Sequence, residues 1–199
     1  IVVPIYKPTL SEYEEVAFKQ LFNVLGKHRI VIFKPTSLEL SNLLNNYPDC
    51  ETESFSDHYF NGIAGYNRLM MSEEFYARFI DSEYILIYQL DAYVFKDELI
   101  DWCSKGYDYI GAPWLLRPIY NFPLLKFTSW TKRKYCQITS RPCSQMTRFK
   151  VGNGGLSLRK VSSHLKAVTS LRSVIKQYLQ VRNHLFNEDV FFSIEVNRH

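Results

Sequence analysis

The sequence predicts an α/β fold with a mostly parallel central sheet flanked by helices, and three observations carry that expectation. Residues 1–6 and 29–33 are short apolar runs ended by Lys7-Pro8 and Lys34-Pro35, and between them Val16, Phe18, Leu21, Phe22 and Leu25 recur at helical spacing. A strand, a helix and a strand in that order favour a parallel pair with a right-handed crossover. Tyr84-Ile-Leu-Ile-Tyr88 is the most strand-like run in the chain. Gln89-Leu90-Asp91 follows it at once, so a carboxylate stands just past a strand, where open α/β sheets bind ligands.

The remaining elements follow from local signals. Ser11-Glu-Tyr-Glu-Glu15 opens the first helix and Gly26 stops it. A short helix is expected over 38–45, then a strand and loop over 51–60. Residues 64–80 carry Leu69, Met70, Phe75, Tyr76 and Phe79 in a helical pattern. A short helix over 97–103 and a strand over 107–110 follow, closed by Gly111-Ala-Pro-Trp114. From 115 to 150 the periodicity fades, Pro118, Pro123 and Pro142 interrupt the chain, and a long basic, aromatic loop is expected. A glycine turn plus strand over 151–159 and helices over 162–169 and 171–181 restore order. The expected organisation is a single domain over 1–199, with halves at 1–114 and 115–199.

Composition narrows the class. With 46% hydrophobic, 16% aromatic and 22% charged residues, the chain has the make-up of an ordered globular protein. No apolar run approaches the roughly 20 residues that span a bilayer, and residues 1–6 lack the features of a signal peptide. Cys50, Cys103, Cys136 and Cys143 form no CxxC pair. Four reduced thiols in a cytoplasmic protein are expected, with a Cys136–Cys143 disulfide as the alternative. An anchor or further domain outside these residues remains compatible with this reading. Charge is unevenly spread: residues 1–108 hold 9 Lys/Arg and 17 Asp/Glu, residues 109–187 hold 14 and none, and residues 188–199 hold 1 and 3. The acid-free stretch is either a surface for anions or a solvated basic face.

Three loci can carry chemistry. Asp91 can give Mg²⁺ or Mn²⁺ an oxygen while the ion touches a diphosphate, or it can cap its own turn. Gly152, Gly154 and Gly155 allow a backbone to approach a ligand or take positive φ, and Asn153 can donate and accept. A plain glycine turn is the alternative, since the spacing of a P-loop or dinucleotide fingerprint is missing. Glu188 and Asp189 precede apolar Val190-Phe-Phe192, a setting that raises carboxylate basicity and suits a general base. They also fit the first turn of a helix, where acids favour the dipole.

Five blocks, Tyr66-Asn-Arg-Leu-Met70, Tyr84-Ile-Leu-Ile-Tyr-Gln-Leu-Asp-Ala92, Tyr107-Asp-Tyr-Ile-Gly-Ala-Pro-Trp114, Gly152-Asn-Gly-Gly-Leu-Ser-Leu-Arg159 and Glu188-Asp-Val-Phe-Phe192, resemble in order a family of GT-A-type glycosyltransferases catalogued as a domain of unknown function. The resemblance implies a Rossmann-like GT-A fold, a UDP-linked nucleotide-sugar donor, a divalent cation (Mn²⁺ or Mg²⁺) and a glycan, lipid-linked or protein acceptor. In such enzymes a D-x-D motif ends the central strand and its last Asp commonly binds metal. Gln89-Leu90-Asp91 is similar, with Gln in the first position, so the resemblance makes Asp91 the metal ligand and Gln89 an amide contact to the donor. It also implies donor contacts from Pro4, Tyr6, Asn67 and Arg68, and an acceptor side formed by Trp114, Asn153, Gly154 and Gly155. Asp189, with Glu188 beside it, takes the role of base in an inverting transfer. Judged without the family, Arg68 is a surface cation and Trp114 a core residue.

Two other function classes stay open. A nucleotidyltransferase also places an Asp at a strand end, but it usually needs two carboxylates around its cations, and Asp97 is the nearest acid to Asp91 in sequence. A non-catalytic module would use the basic loop to hold an anionic glycan, an anionic membrane or RNA. No RNA-binding signature accompanies that loop, so no specific nucleic-acid partner is expected.

Overall fold

The structure, a computed structural model, describes residues 1–114, 122–139, 151–181 and 183–199. Six strands form one sheet: β1 (Val2–Pro4), β2 (Val31–Pro35), β3 (Glu51–Phe55), β4 (Tyr84–Tyr88), β5 (Tyr109–Pro113) and β6 (Val151–Lys160), in spatial order β3-β2-β1-β4-β6-β5. The pairings from β3 across to β4 are parallel, and β6 runs antiparallel to both β4 and β5. The chain is thus an α/β protein with a largely parallel central sheet. One strand from residues 115–199 is inserted between two strands from residues 1–114, so both halves share the sheet.

The helices are α1 (Glu12–Leu25), α2 (Ser41–Leu44), α3 (Gly62–Met70), α4 (Glu73–Ala77), α5 (Leu99–Ser104), α6 (Pro123–Ile138), α7 (Val161–Ser170), α8 (Arg172–Gln180) and α9 (Glu188–Val190), the last continued by a π turn over Phe191–Glu195. Strand side chains alternate between faces, and the parity of the apolar runs divides them into two cores. Val2, Val31, Phe33, Ile85 and Ile87 meet Leu69, Phe75, Tyr76 and Val168 of α3, α4 and α7 on one face. Val3, Ile32 and Tyr88 meet Phe18, Leu21 and Leu25 of α1 on the other. Covering both faces explains why these strands read as continuous apolar runs. Each such side chain, fully buried, stabilises by about 1.5–3 kcal/mol.

Several expected boundaries shift for identifiable reasons. The helical pattern over 64–80 is two helices, because Ser72 caps α4 by accepting from the Phe75 N–H at 3.1 Å while its own hydroxyl donates to Leu69 O at 2.7 Å. Of the glycine turn plus strand expected over 151–159, the strand is present and extends through the glycines as one ten-residue element, Val151–Lys160. The long loop expected over 115–150 contains α6, a sixteen-residue helix. Pro123, read as an interruption, sits in its first turn, where a missing N–H costs nothing. Cys50 and Cys103 are free thiols. Cys143 lies outside the described residues, and so does any pairing with Cys136.

Candidate functional site

The order of the strands determines where a crevice can form. From β1 the chain winds outward to β2 and β3, then returns to β4 on the other side of β1, so the topology switches between β1 and β4. At such a point the segments leaving the two strands diverge and open a ligand site at their carboxyl ends. A cavity of about 540 Å³ lies there, lined by Pro4 to Lys7 after β1 and Gln89 to Asp91 after β4. That size is typical of small-molecule sites.

The antiparallel β6 brings the distant glycine block to the same place. Tyr88 pairs with Leu156, and the Gln89 N–H donates to Gly155 O at 2.7 Å, so Asn153, Gly154 and Gly155 border the cavity. All three lie in strand rather than turn, and among the described glycines positive φ occurs only at Gly62 and Gly106. The glycines are needed for close approach by side chains. A Cβ on Gly154 would collide with Glu188 Oε1, one on Gly155 would come 3.0 Å from Gln89 Oε1, and one on Gly152 would strike the Trp114 ring and Ser193 Oγ.

Behind Gly154 lies a fully enclosed ion pair. Arg159 is 0% exposed and Glu188 4%, with Nη2 2.9 Å from Glu188 Oε2. The guanidinium also donates to Ser157 Oγ and Tyr76 Oη, each at 3.0 Å, and lies over the rings of Tyr109 and Phe192. Burial works against the Arg159 charge, but Glu188, with Tyr76, Tyr109 and Tyr66 after it, holds its pKa well above the ordinary value. Burial raises the Glu188 carboxyl, an effect that Arg159 opposes. Glu188 is therefore occupied as a structural partner of Arg159.

Asp189 lines the cavity one residue further on. Its carboxyl is raised to about 7, first by burial and then by the neighbouring charge of Glu188. The Val190 N–H donates to it at 2.8 Å, which opposes the rise without cancelling it. One buried oxygen by the cavity, Tyr66 Oη, has no aligned hydrogen-bond partner, whereas Glu188 Oε2 is compensated by Arg159 Nη2 at 2.9 Å. Unsatisfied buried polar atoms of this kind are uncommon and call for a ligand or a water.

Of the residues expected at a site, Pro4, Tyr6, Asn67, Gln89, Asp91, Asn153, Gly154, Gly155, Glu188 and Asp189 all line this cavity. Asn67 is engaged on both sides of its amide: Oδ1 accepts from the Glu188 N–H at 3.1 Å and Nδ2 donates to Asn187 Oδ1 at 3.0 Å. It positions the acidic pair. Arg68 and Trp114 are not among the lining residues. Arg68 is the next residue round the helix from buried Asn67 and is exposed, and Trp114 is held over Gly152. Asp97 is taken up elsewhere, bound by Lys27 and His28 at 2.9 Å each and held down to about 2, chiefly by Lys27.

The structure adds lining residues that sequence reading passed over, among them Lys7, Glu14, Tyr59 and Tyr66. Lys7 had a usable signal, since it follows β1 as Asp91 follows β4. It pairs with Glu14 at 2.6 Å, and Glu14 also closes the capping box of α1 with Ser11. Among the described lining residues Lys7 is the sole Lys or Arg. The acid-free stretch therefore gives the cavity no described basic lining residue.

Asp91 is exposed at the cavity wall. Among the described residues no group of three or more His, Cys, Asp or Glu is placed to hold a metal ion. The side chains fit a cation only as one held by a single carboxylate and otherwise by ligand phosphates and water, a common arrangement for Mg²⁺.

Fold and crevice together define an α/β protein of generic Rossmann-like topology. Residues 49–199 match the family described as "Protein of unknown function (DUF5672)", and the chain belongs to that family. No curated protein matches the sequence.

Two outcomes are expected from the site's packing. Gly154→Ala lowers the unfolding free energy by about 2 kcal/mol in denaturant titrations, because Glu188 is fixed by Arg159 and cannot yield; Gly155→Ala, which meets the flexible end of Gln89, costs less. Asp189 binds its proton more tightly folded than unfolded, so its contribution to stability is complete at low pH and is lost as pH rises toward about 7. Asp189→Asn therefore raises the melting temperature at pH 8 and leaves it nearly unchanged at pH 4. A melting temperature lowered at pH 8 would contradict the raised pKa.

Proposed function

We propose that this chain is a glycosyltransferase of the GT-A type, moving a sugar from a nucleoside-diphosphate sugar, UDP-linked, to a hydroxyl acceptor with inversion. The observation that carries the reading is Asp189, a carboxyl raised to about 7 in a cavity where Glu188 is paired with Arg159, Glu14 with Lys7, and Asp91 is exposed at the wall. A group with that pKa is ionised enough near neutral pH to act and basic enough to take a proton. The block resemblance to GT-A enzymes supports the reaction class, and the switch-point position of the cavity is consistent with a nucleotide ligand.

In this reading Asp189 accepts the proton of the acceptor hydroxyl as its oxygen bonds to the anomeric carbon. The bond from that carbon to the diphosphate oxygen breaks, and the electron pair leaves with the nucleoside diphosphate. Gln89 and Asn153 offer amides to sugar or ribose hydroxyls, and Tyr6 and Ile63 offer apolar surface to the base. Asp91 would hold a divalent cation, which would supply neutralisation of the leaving diphosphate's charge. Lys7, paired with Glu14, also lines the cavity. Glu188, tied to Arg159, keeps Asp189 aimed into the cavity.

The test is donor turnover with and without acceptor. Asp189→Asn is expected to keep donor affinity and lose transfer by about 10²- to 10⁴-fold. Because the base must be ionised, wild-type transfer rises with pH to a plateau, with its half-point near pH 7. Retained turnover in Asp189→Asn would remove Asp189 from the role, and an absent response to every nucleotide sugar would remove the reaction class.

A further inference from the structure

Four of the fourteen basic residues of the acid-free stretch, Lys126, Lys132, Arg133 and Lys134, lie on α6. Leu125, Ser129, Arg133 and Cys136 form the covered side of this helix. Its large apolar residues lie on the other side. Leu124, Phe127, Trp130, Tyr135 and Ile138 are all exposed, Leu124 at 73% and Ile138 at 83%. Phe127 and Trp130 stack with their rings 6.2 Å apart, which makes one continuous aromatic surface. A helix normally turns such a face to the core, and an outward one marks a surface awaiting a partner.

Charge selects the partner. Lys126, Lys132 and Lys134 are exposed on the same helix, and no Asp or Glu occurs anywhere from 109 to 187. Aromatic and aliphatic groups between lysines suit a helix lying in the headgroup region of a bilayer, rings at the acyl boundary and ammonium groups reaching to lipid phosphates. Among the described residues no helix is long and apolar enough to cross a membrane. We infer that α6 docks the protein on the surface of an anionic phospholipid bilayer, with Phe127 and Trp130 inserted and the lysines paired to headgroups. This inference stands apart from the reading of the cavity and requires no catalysis.

The full chain is tested by sedimentation with vesicles of phosphatidylcholine alone and of phosphatidylcholine mixed with phosphatidylserine. Binding to the mixed vesicles is expected to be at least about tenfold stronger and to weaken as salt is raised. Brominated lipid should quench fluorescence in the wild type and lose that extra quenching in Trp130→Phe. The double variant Phe127→Ser, Trp130→Ser is expected to lose about tenfold in vesicle affinity with an unchanged melting temperature, since both rings are exposed. Lys132→Gln with Lys134→Gln should lose binding to the anionic vesicles by a similar factor. Equal binding to both vesicle types, no binding, or binding indifferent to these variants would overturn the assignment. A concentration-dependent dimer abolished by Phe127→Ser, Trp130→Ser, without vesicle binding, would give the face to a second copy of the chain instead.

Discussion

The enclosed pair of Arg159 and Glu188 is the constraint around which the site is arranged. Removing one partner from such a pair typically costs about 3–5 kcal/mol, because the other charge is left buried without compensation. The pair reaches into three parts of the chain at once. Arg159 belongs to β6, its hydrogen bond to Tyr76 holds α4, and Glu188 begins the terminal helical segment. The carboxylate presses on Gly154, so the glycine block and the acidic block depend on each other. Asn67 completes the arrangement from α3 by accepting the Glu188 N–H. Asp189 inherits its position from all of these, and its raised pKa follows from the burial and the charge they impose.

Sheet topology supplies the space into which Asp189 faces. Parallel strands β1 and β4 end side by side where the winding reverses, and their following residues diverge. The antiparallel direction of β6 then places the start of that strand, rather than its end, beside the end of β4. Residues near positions 5, 65, 90, 154 and 188 meet in one cavity for this reason. Among the described residues, none of α6 belongs to either core or to the cavity lining.

Much of the scaffold was legible because the relevant signals are local. Tyr84–Tyr88 reads as a strand from five residues, and α1 is announced by its cap and its stop. What the residues hid was relational. Glu188 and Asp189 look alike in sequence, and only the partner 29 positions away from Glu188 shows which of the two is held in a buried ion pair. The glycines suggested a turn, whereas each makes room for a specific side chain. Arg68 and Trp114 were grouped with the site through the blocks that contain them, and helix rotation and the packing on Gly152 turn them elsewhere. Helix α6 escaped notice because its apolar face has no core to match and its proline marks a beginning. Lys7 and Tyr66 went unread as lining residues because their place in the wall depends on the packing of β1 against α3 and the acidic segment.

A nucleoside-diphosphate sugar is the proposed ligand of the cavity between the ends of β1 and β4. Backbone amide NMR of the full chain during titration with UDP-sugars, in the presence of Mn²⁺-free Mg²⁺ buffer, addresses it directly. The expected result is saturable binding whose shift changes concentrate at residues 5–7, 62–67, 89–91, 153–155 and 187–189. Saturable binding with changes confined to other surfaces, or no response to any UDP-sugar, would contradict it.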